Sequence, residues 1–563
     1  MCVVTEPAAA AASASVAAHQ QSESAPLKAD YLVIGMGTAG MSFVDTLLTE
    51  DADATIIMVD RNKAAGGHWT TAYPHVRLHQ PASYYGVNSR KLGKLRDAMG
   101  REKFHIDDRA TGAEIADYYA QVADQFRRSG RAQLMFDSEY EEMGSDDDKR
   151  HIVTNRTTGE VSTVTCGKVV KVHTNLLVPS MRDGPPFPVD EAANVVPVND
   201  LPSMVQSGQY SEYIIIGAGK TGLDSVTHLL RNGVDQSAIT WIISRDVWYF
   251  IRDGYIREGN SYWKDVGRLL SPLEKASSIE EAFLLYEKDE VVARLDPTRT
   301  QPEVFKGATI DKSELAGLRT VQNVVRKGRV TGISRDSISL DKGSIEYSPA
   351  DTLIVDCMAD FDMTFYGYNF EDDFQIFEPG RINLGPLVTV YNPSFSSAII
   401  AYIEATFEDD SNMKNSMLYF LRGEHTKPVP SSFFGMFYVQ SKTIQALGKY
   451  SPATNFVLKS RTNNDTPIHH GGMLPFLWGL FGPLQIAKRG DAFIQKVESG
   501  GFSDVKDSFG NGRPIPEAST LKIKKKKPSK KSKSGHGVPY PPKENVEKKR
   551  ASFNCCSSVA VVQ

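Results

Sequence analysis

Three observations predict an α/β fold with two Rossmann-like dinucleotide-binding domains, the second inserted into the first. The stretch YLVIGMGTAGMSFVDTLL, Tyr31 to Leu48, sets an apolar strand, a glycine triplet and an amphipathic helix in succession. YIIIGAGKTGLDSVTHLL, Tyr213 to Leu230, repeats the plan. A hairpin pattern with a turn at Lys342-Gly343 and a final apolar strand, Thr352 to Val355, follow within Gly328 to Ala359.

In the first copy the strand runs into Gly35, Gly37 and Gly40, after which Met41, Val44, Leu47 and Leu48 recur at helical spacing. One glycine permits the turn, one lets the backbone approach a pyrophosphate, and one lets helix and strand pack closely. The helix N-terminus offers unpaired N–H groups to the anion. Asp60 ends the next strand, TIIMVD, where its carboxylate suits the hydroxyls of an adenosine ribose.

The second copy has Gly217, Gly219 and Gly222, followed by Leu223, Val226, Leu229 and Leu230. Its next strand, ITWIISRD, ends in Arg245, with Asp246 after it. A guanidinium at that place takes a 2′-phosphate in a bidentate pair and favours NADP over NAD; the alternative is an exposed loop arginine. Two dinucleotide sites in one chain fit a flavin reduced by a nicotinamide, FAD in the first and NADPH in the second.

After Asp60 comes Gly66-Gly67-His68-Trp69, followed by Tyr73-Pro74. This run resembles the GG-x-W…YP stretch of class B flavoprotein monooxygenases, the group that contains the flavin-containing and Baeyer–Villiger monooxygenases. RDVWYFIRDG, Arg245 to Gly254, is similar to that group's arginine-containing loop in the NADP domain. Gly328 to Ala359 resembles the hairpin and strand by which that group's chain leaves the NADP domain and returns to the FAD domain, and the resemblance covers about residues 29–400. It implies that Gly66, Gly67 and Trp69 lie along FAD, and that His79 and Gln80 stand near the flavin as weak catalytic candidates. It further implies NADPH reducing the flavin, dioxygen as co-substrate and a small organic substrate.

Two departures stand against oxygen insertion. The group's fingerprint histidine and its following aromatic fall on Pro197 and Leu201, and the usual Ala-Thr-Gly after the last strand is Asp356-Cys357-Met358. The alternatives are an NADPH-dependent flavin reductase or dehydrogenase, and a membrane-tethered flavoprotein that senses nucleotides. A disulfide reductase would need two cysteines close in sequence at the flavin, and Cys166 and Cys357 are isolated.

The chain has 563 residues, enough for two or three domains, and no apolar run long enough to span a bilayer. Five cysteines show no even framework, which suits a reducing compartment. The net charge of −4 conceals a division: Leu521 to Arg550 holds eleven Lys and one Arg against two Glu, so the body is acidic. His469-His470 lack further ligands at recognisable spacing, so no metal is expected, and nothing calls for a nucleic-acid partner.

The expected division is an unfolded segment 1–28, an FAD domain over 29–205 and 330–515 that ends in a helical region, an NADP domain over 206–329, and an unfolded basic tail over 516–563. The location expected is cytoplasmic. Cys555 and Cys556 beside the basic stretch suit a lipid-plus-charge anchor for peripheral membrane contact; a solvated tail or a nuclear-type address are the alternatives. The apolar run Gly471 to Ala487 reads as core or channel wall, or as shallow membrane contact.

Overall fold

The computed structural model describes residues 25–93, 108–142, 150–172, 184–255, 262–299, 301–358, 373–422, 427–463, 488–502 and 516–524. The run 471–487 and the paired cysteines Cys555 and Cys556 lie outside the described residues.

The chain opens with strand β1, Leu27–Ile34, helix α1, Thr38–Glu50, and β2, Ile56–Val59. Helix α2, Gly112–Arg128, then leads to β3, Ala132–Met135, β4, Ser138–Glu141, β5, Arg150–Asn155, and the long β6, Val161–Val172. Tyr31, Leu32 and Val33 and all of β2 are buried because both faces of these central strands are covered, which is why they read as continuous apolar runs.

Next come β7, Val195–Pro197, α3, Leu201–Ser207, β8, Glu212–Ile216, α4, Lys220–Arg231, and β9, Ile239–Ile242. A smaller unit follows: β10, Val247–Ile251, α5, Arg252–Tyr255, α6, Tyr262–Lys275, α7, Ile279–Lys288, β11, Val292–Arg294, and β12, Val304–Ile310. Helix α8, Lys312–Leu318, precedes β13, Val324–Val325, the antiparallel set β14, Val330–Ile333, β15, Ser337–Leu340, and β16, Gly343–Glu346, and then β17, Thr352–Asp356. The chain ends in β18, Phe377–Glu378, β19, Arg381–Leu384, and helices α9, Pro393–Thr406, α10, Ser411–Ser416, α11, Pro430–Gly448, and α12, Ser451–Lys459.

Two sheets organise these elements. The first has the order β18-β19-β6-β1-β2-β3, parallel from β19 to β3, with β5 and β4 added antiparallel at β6. The second has the order β13-β9-β8-β17-β7 and is parallel throughout. Each glycine turn stands at the C-terminal end of a central strand, β1 or β8, where ligands of open α/β sheets bind.

Helix α9 packs along α1 at close range. Ser42 donates to the Ser394 carbonyl at 2.7 Å, and the buried Ser397, Ala398 and Ala401 keep side chains short on α9. The three-stranded sheet β11-β10-β12 is faced by α7 and α11 through edge-to-face contacts of Phe283, Phe305 and Phe433, which join it to the first core.

Four expected borders move. Strand β17 does not lead directly back to the first sheet; it lies inside the second, between β8 and β7, so the second unit starts before 206 and continues past 329. Val330, Ile338 and Leu340 of the hairpin cover Ile214, Ile216 and Ile354 of that same sheet. The tail expected to be unfolded from 516 is folded through its first nine described residues. Ile523 bridges antiparallel to Phe407, the Lys524 amide donates to the Thr406 carbonyl at 2.9 Å, and the Lys524 ammonium donates to the Glu404 carbonyl at 2.7 Å. Leu27 and Lys28, expected to precede the fold, already belong to β1.

Candidate functional site

The two turns are built alike, down to single contacts. Gly35 and Gly217 have φ of +108° and +126°, which L side chains rarely adopt. Their amides donate to the ends of the neighbouring strands, Gly35 to Val59 at 2.8 Å and Gly217 to Ile242 at 2.9 Å. A Cβ on Gly40 would stand 2.0 Å from the Gly35 carbonyl oxygen, and one on Gly222 would stand 2.1 Å from that of Gly217. The first and third glycines therefore answer to backbone conformation and to helix–strand packing.

The middle glycines have no such need. Gly37 and Gly219 cap α1 and α4 in extended conformation, with φ of −80° and −78°, and neither supplies a side-chain cap. Around a Cβ on Gly219 nothing lies within 4 Å. No acidic residue stands in the first turn of either helix. Each helix thus presents uncapped N–H groups and the positive end of its dipole without a carboxylate to repel an anion.

Asp60 is buried at the end of β2. Its Oδ2 accepts from the Met36 amide at 2.5 Å and its Oδ1 from the Asn62 amide at 2.8 Å, so it pins the first turn to the second strand. A carboxylate has about four lone-pair sites, which leaves acceptor capacity for ribose hydroxyls. Gly66 and Gly67, with φ of +130° and +59°, fold the next loop onto that turn. The Gly66 amide donates to the Met36 carbonyl at 2.9 Å, and a Cβ on Gly67 would meet Gly37 Cα at 2.9 Å.

Trp69 points its indole N–H at the Tyr85 hydroxyl, 2.6 Å away, and Tyr85 in turn meets Thr38 at the start of α1. Thr38 also bonds Tyr119 at 2.8 Å. Thr38, Tyr85 and Tyr119 were not singled out in the sequence, because lone hydroxyls carry no spacing signal. At the other end of the loop Tyr73 donates to Asp224 of α4 at 2.7 Å, and Asp224 is paired with Lys220. One short loop therefore ties the first turn to the helix that follows the second.

His79 accepts from the Thr309 amide at Nδ1, 3.3 Å, which puts its proton on Nε2, and burial pushes the imidazole down to about 3. It is a neutral hydrogen-bond donor near neutral pH and a poor general base. Its carbonyl accepts from Nε of the buried Arg252 at 2.8 Å. Arg252 continues to Asp311 at 3.3 Å, tying this segment to the start of α8. Gln80 is half-buried beside it.

Arg245 is exposed after β9, and Asp246 is turned away from it into a pair with Arg326 at 3.1 Å. Burial and the neighbouring Arg329 lower the Arg245 guanidinium. Burial, with Arg245 and Arg329, pushes the Lys306 ammonium down to about 8. Two further cations, Lys306 and Arg329, therefore lie near Arg245, with the Glu303 carboxylate close to it as well. Lys306 and Arg329 were missed because they arrive from β12 and the start of the hairpin.

No family model matches the sequence. Uncharacterised proteins of Mycobacterium tuberculosis (Rv2000) and Mycobacterium bovis (Mb2023) are each 36% identical to this chain over 397 residues, which is 69% of this chain and 70% of theirs. The chain belongs to their family.

Solved structures similar to this family member are distant. A polycyclic ketone monooxygenase from Thermothelomyces thermophila has 12% identity and a TM-score of 0.46, covering 88% of this chain and 90% of its own. An oxidised steroid monooxygenase bound to NADP has 14% identity and a TM-score of 0.45, covering 84% and 98%. A bacillithiol disulfide reductase from Bacillus cereus has 11% identity and a TM-score of 0.40, covering 67% and 99%.

Among the described residues Cys166 and Cys357 are buried and not joined in a disulfide, and burial pushes the Cys357 thiol up to about 12, which leaves it unreactive. Among the described residues no group of three or more His, Cys, Asp or Glu could hold a metal ion, and no helix is long and apolar enough to cross a membrane.

Proposed function

We propose that this protein is an FAD-dependent oxidoreductase that takes reducing equivalents from NADPH. The FAD-binding unit is the first sheet with its C-terminal helices, and the NADP-binding unit is the second sheet with its covering hairpin. Gly219 carries the reading: neither its backbone angles nor its surroundings require a glycine, so a close-lying pyrophosphate is the remaining reason for one.

Bound flavin would supply the acceptor for the nicotinamide's hydride. The chain's own part is to hold the two cofactors. Gly37 and the α1 N-terminus take the FAD pyrophosphate and Asp60 the ribose, while Gly66, Gly67 and Trp69 close the loop over that turn. Gly219 and the α4 N-terminus take the NADP pyrophosphate, and Arg245, Lys306 and Arg329 take the 2′-phosphate. His79, and less directly Gln80, are weak catalytic candidates, His79 as a fixed hydrogen-bond donor. Resemblance to class B monooxygenases supports oxygen transfer to a small organic substrate.

A second reading, reduction without oxygen insertion, is favoured by one observation. Pro197 stands exposed at the end of edge strand β7, and Leu201 is wholly buried at the start of α3, so neither fingerprint position offers a polar group to the cleft. Stoichiometric release of hydrogen peroxide from NADPH-reduced protein in air, with every offered substrate unchanged, selects that second reading.

The deciding test of cofactor assignment is Gly219→Ala. The variant is expected to fold with the parent's melting temperature and its FAD, and to bind NADPH about ten- to hundredfold more weakly through loss of charge-assisted N–H contacts. Unchanged NADPH affinity by titration of flavin absorbance removes the assignment.

The basic cluster adds a pH signature. Lys306 is protonated below about 8 and loses its charge above it. Binding a phosphate dianion above that pH requires proton uptake, so NADP+ affinity should fall with rising pH, approaching about tenfold per unit, while NAD+ affinity stays level. Parallel profiles for the two nucleotides between pH 7 and 10 would exclude Lys306 from the site.

A further inference from the structure

Lys220 is the first residue of α4, directly after Gly219. A cation there adds to the positive end of the helix dipole, so it costs the helix stability unless an anion stands against it. The first glycine turn has the neutral Thr38 at the same place. No acidic residue in the opening turn of α4 offers that anion, and the space beside Gly219 is open.

The protein's own counterion is Asp224, one helical turn further on. Its Oδ1 is paired with Lys220, and its Oδ2 accepts from the Tyr73 hydroxyl at 2.7 Å. The pair runs lysine first and carboxylate four residues later, the less favourable order on a helix because both charges oppose the dipole. Burial would raise the Glu314 carboxyl, and Lys220 and Arg109 outweigh it, yet no hydrogen bond joins Lys220 to Glu314, which is bonded to Arg109 at 3.1 Å. Among the described residues Asp224 is therefore the one hydrogen-bond partner of an ammonium that carries three N–H groups.

We propose that Lys220 moves from Asp224 to the pyrophosphate of NADP when the nucleotide occupies the second glycine turn. An ammonium–phosphate contact is charge-assisted on both sides and draws on the same positive helix end that opposes the lysine in the free protein. Asp224 holds the lysine in the free protein and keeps Tyr73 as a donor once the lysine has left. The inference rests on the assignment of this turn to NADP and adds to it a side chain that reads the part shared by NADP+ and NAD+. Arg245, Lys306 and Arg329 would read the 2′-phosphate alone.

Calorimetric titration of NADP+ and of NAD+ into the full chain with its bound flavin, in the parent, Lys220→Met and Asp224→Asn, tests this. Lys220→Met should weaken both nucleotides about tenfold and leave their ratio unchanged. Asp224→Asn should tighten both about threefold, because the lysine no longer has to leave a carboxylate, while the asparagine oxygen still accepts from Tyr73. The opposite signs separate this role from a structural one: a pair that only braces α4 against the loop would lose affinity in both variants. The parent's affinity should also fall more steeply with sodium chloride than that of Lys220→Met.

Parent-like affinity in Lys220→Met, a loss confined to NADP+, or weakening in both variants would each overturn the inference. A parent that binds both nucleotides beside an unaffected Lys220→Met sinks this inference alone. A parent that binds neither sinks the NADP assignment itself, and the inference with it.

Discussion

Gly222→Ala is expected to unfold the second unit, although Gly219→Ala, three residues away, leaves it intact. The added methyl would stand 2.1 Å from the Gly217 carbonyl oxygen, and that atom cannot retreat. Gly217 is fixed by the hydrogen bond its N–H donates to the Ile242 carbonyl and by its positive φ, and the Cys357 carbonyl stands 3.0 Å from where a Cβ on Gly217 would be. Relief requires α4 to lift from β8, which exposes Leu223, Val226 and Leu229. A cost of about 4 kcal/mol or more follows, comparable to the whole stability of a marginal domain. Urea unfolding followed by circular dichroism measures it; a parent-like midpoint for Gly222→Ala would mean the helix does not press on the turn as described.

The second large effect is expected at Lys414. Its side chain is fully buried, its ammonium is 2.7 Å from Glu404, and Glu404 also accepts from Lys168 and from the Tyr31 hydroxyl, each at 2.9 Å. Burial alone would push the Glu404 carboxyl up, but Lys414 and Lys168 outweigh it and hold it below its usual range. Lys414→Met leaves a carboxylate underpaired in the core beside β1, at a cost of about 3–5 kcal/mol. Lys414→Met combined with Glu404→Gln should recover much of that loss, because what destabilises is the unpaired charge.

The sign of the pH effect is fixed as well. Glu404 is depressed in the folded state, so its contribution is full above its unfolded value and fades as pH falls through the folded one. In Lys414→Met the depression is reduced, and the acid limb of the stability profile should move to higher pH. An unshifted limb, or a double variant no more stable than the single one, would show that Glu404 draws little from Lys414.

Local features were legible in the sequence and long-range ones were not. The glycine turns, and the place of Asp60 at the end of β2, could be read because conformation and packing act over a few residues and leave fixed spacing. β17, TLIVD, could be read as a buried strand but not assigned to a sheet, since an apolar run specifies burial and not its neighbours. Arg252, Lys306, Arg329 and Lys414 were invisible for a related reason: each works through partners brought up by the topology, as when β12 carries Lys306 to Arg245. His75 sat inside a recognised stretch, yet its neighbour His228 lies on another unit.

The loop from Gly66 to Tyr73 has a consequence for how the two proposed nucleotide sites would respond to one another. Its first amide is bonded to Met36 in one turn, and its last hydroxyl reaches Asp224 on the helix of the other. A ligand that shifts one end of this span would act on the other end to the extent that the span moves as a unit. Any such coupling would be reciprocal: occupancy of the first turn would alter affinity at the second by the same factor as the reverse, with typical couplings of about 1–3 kcal/mol. Tyr73→Phe cuts that mechanical link while leaving every group assigned to either cofactor in place.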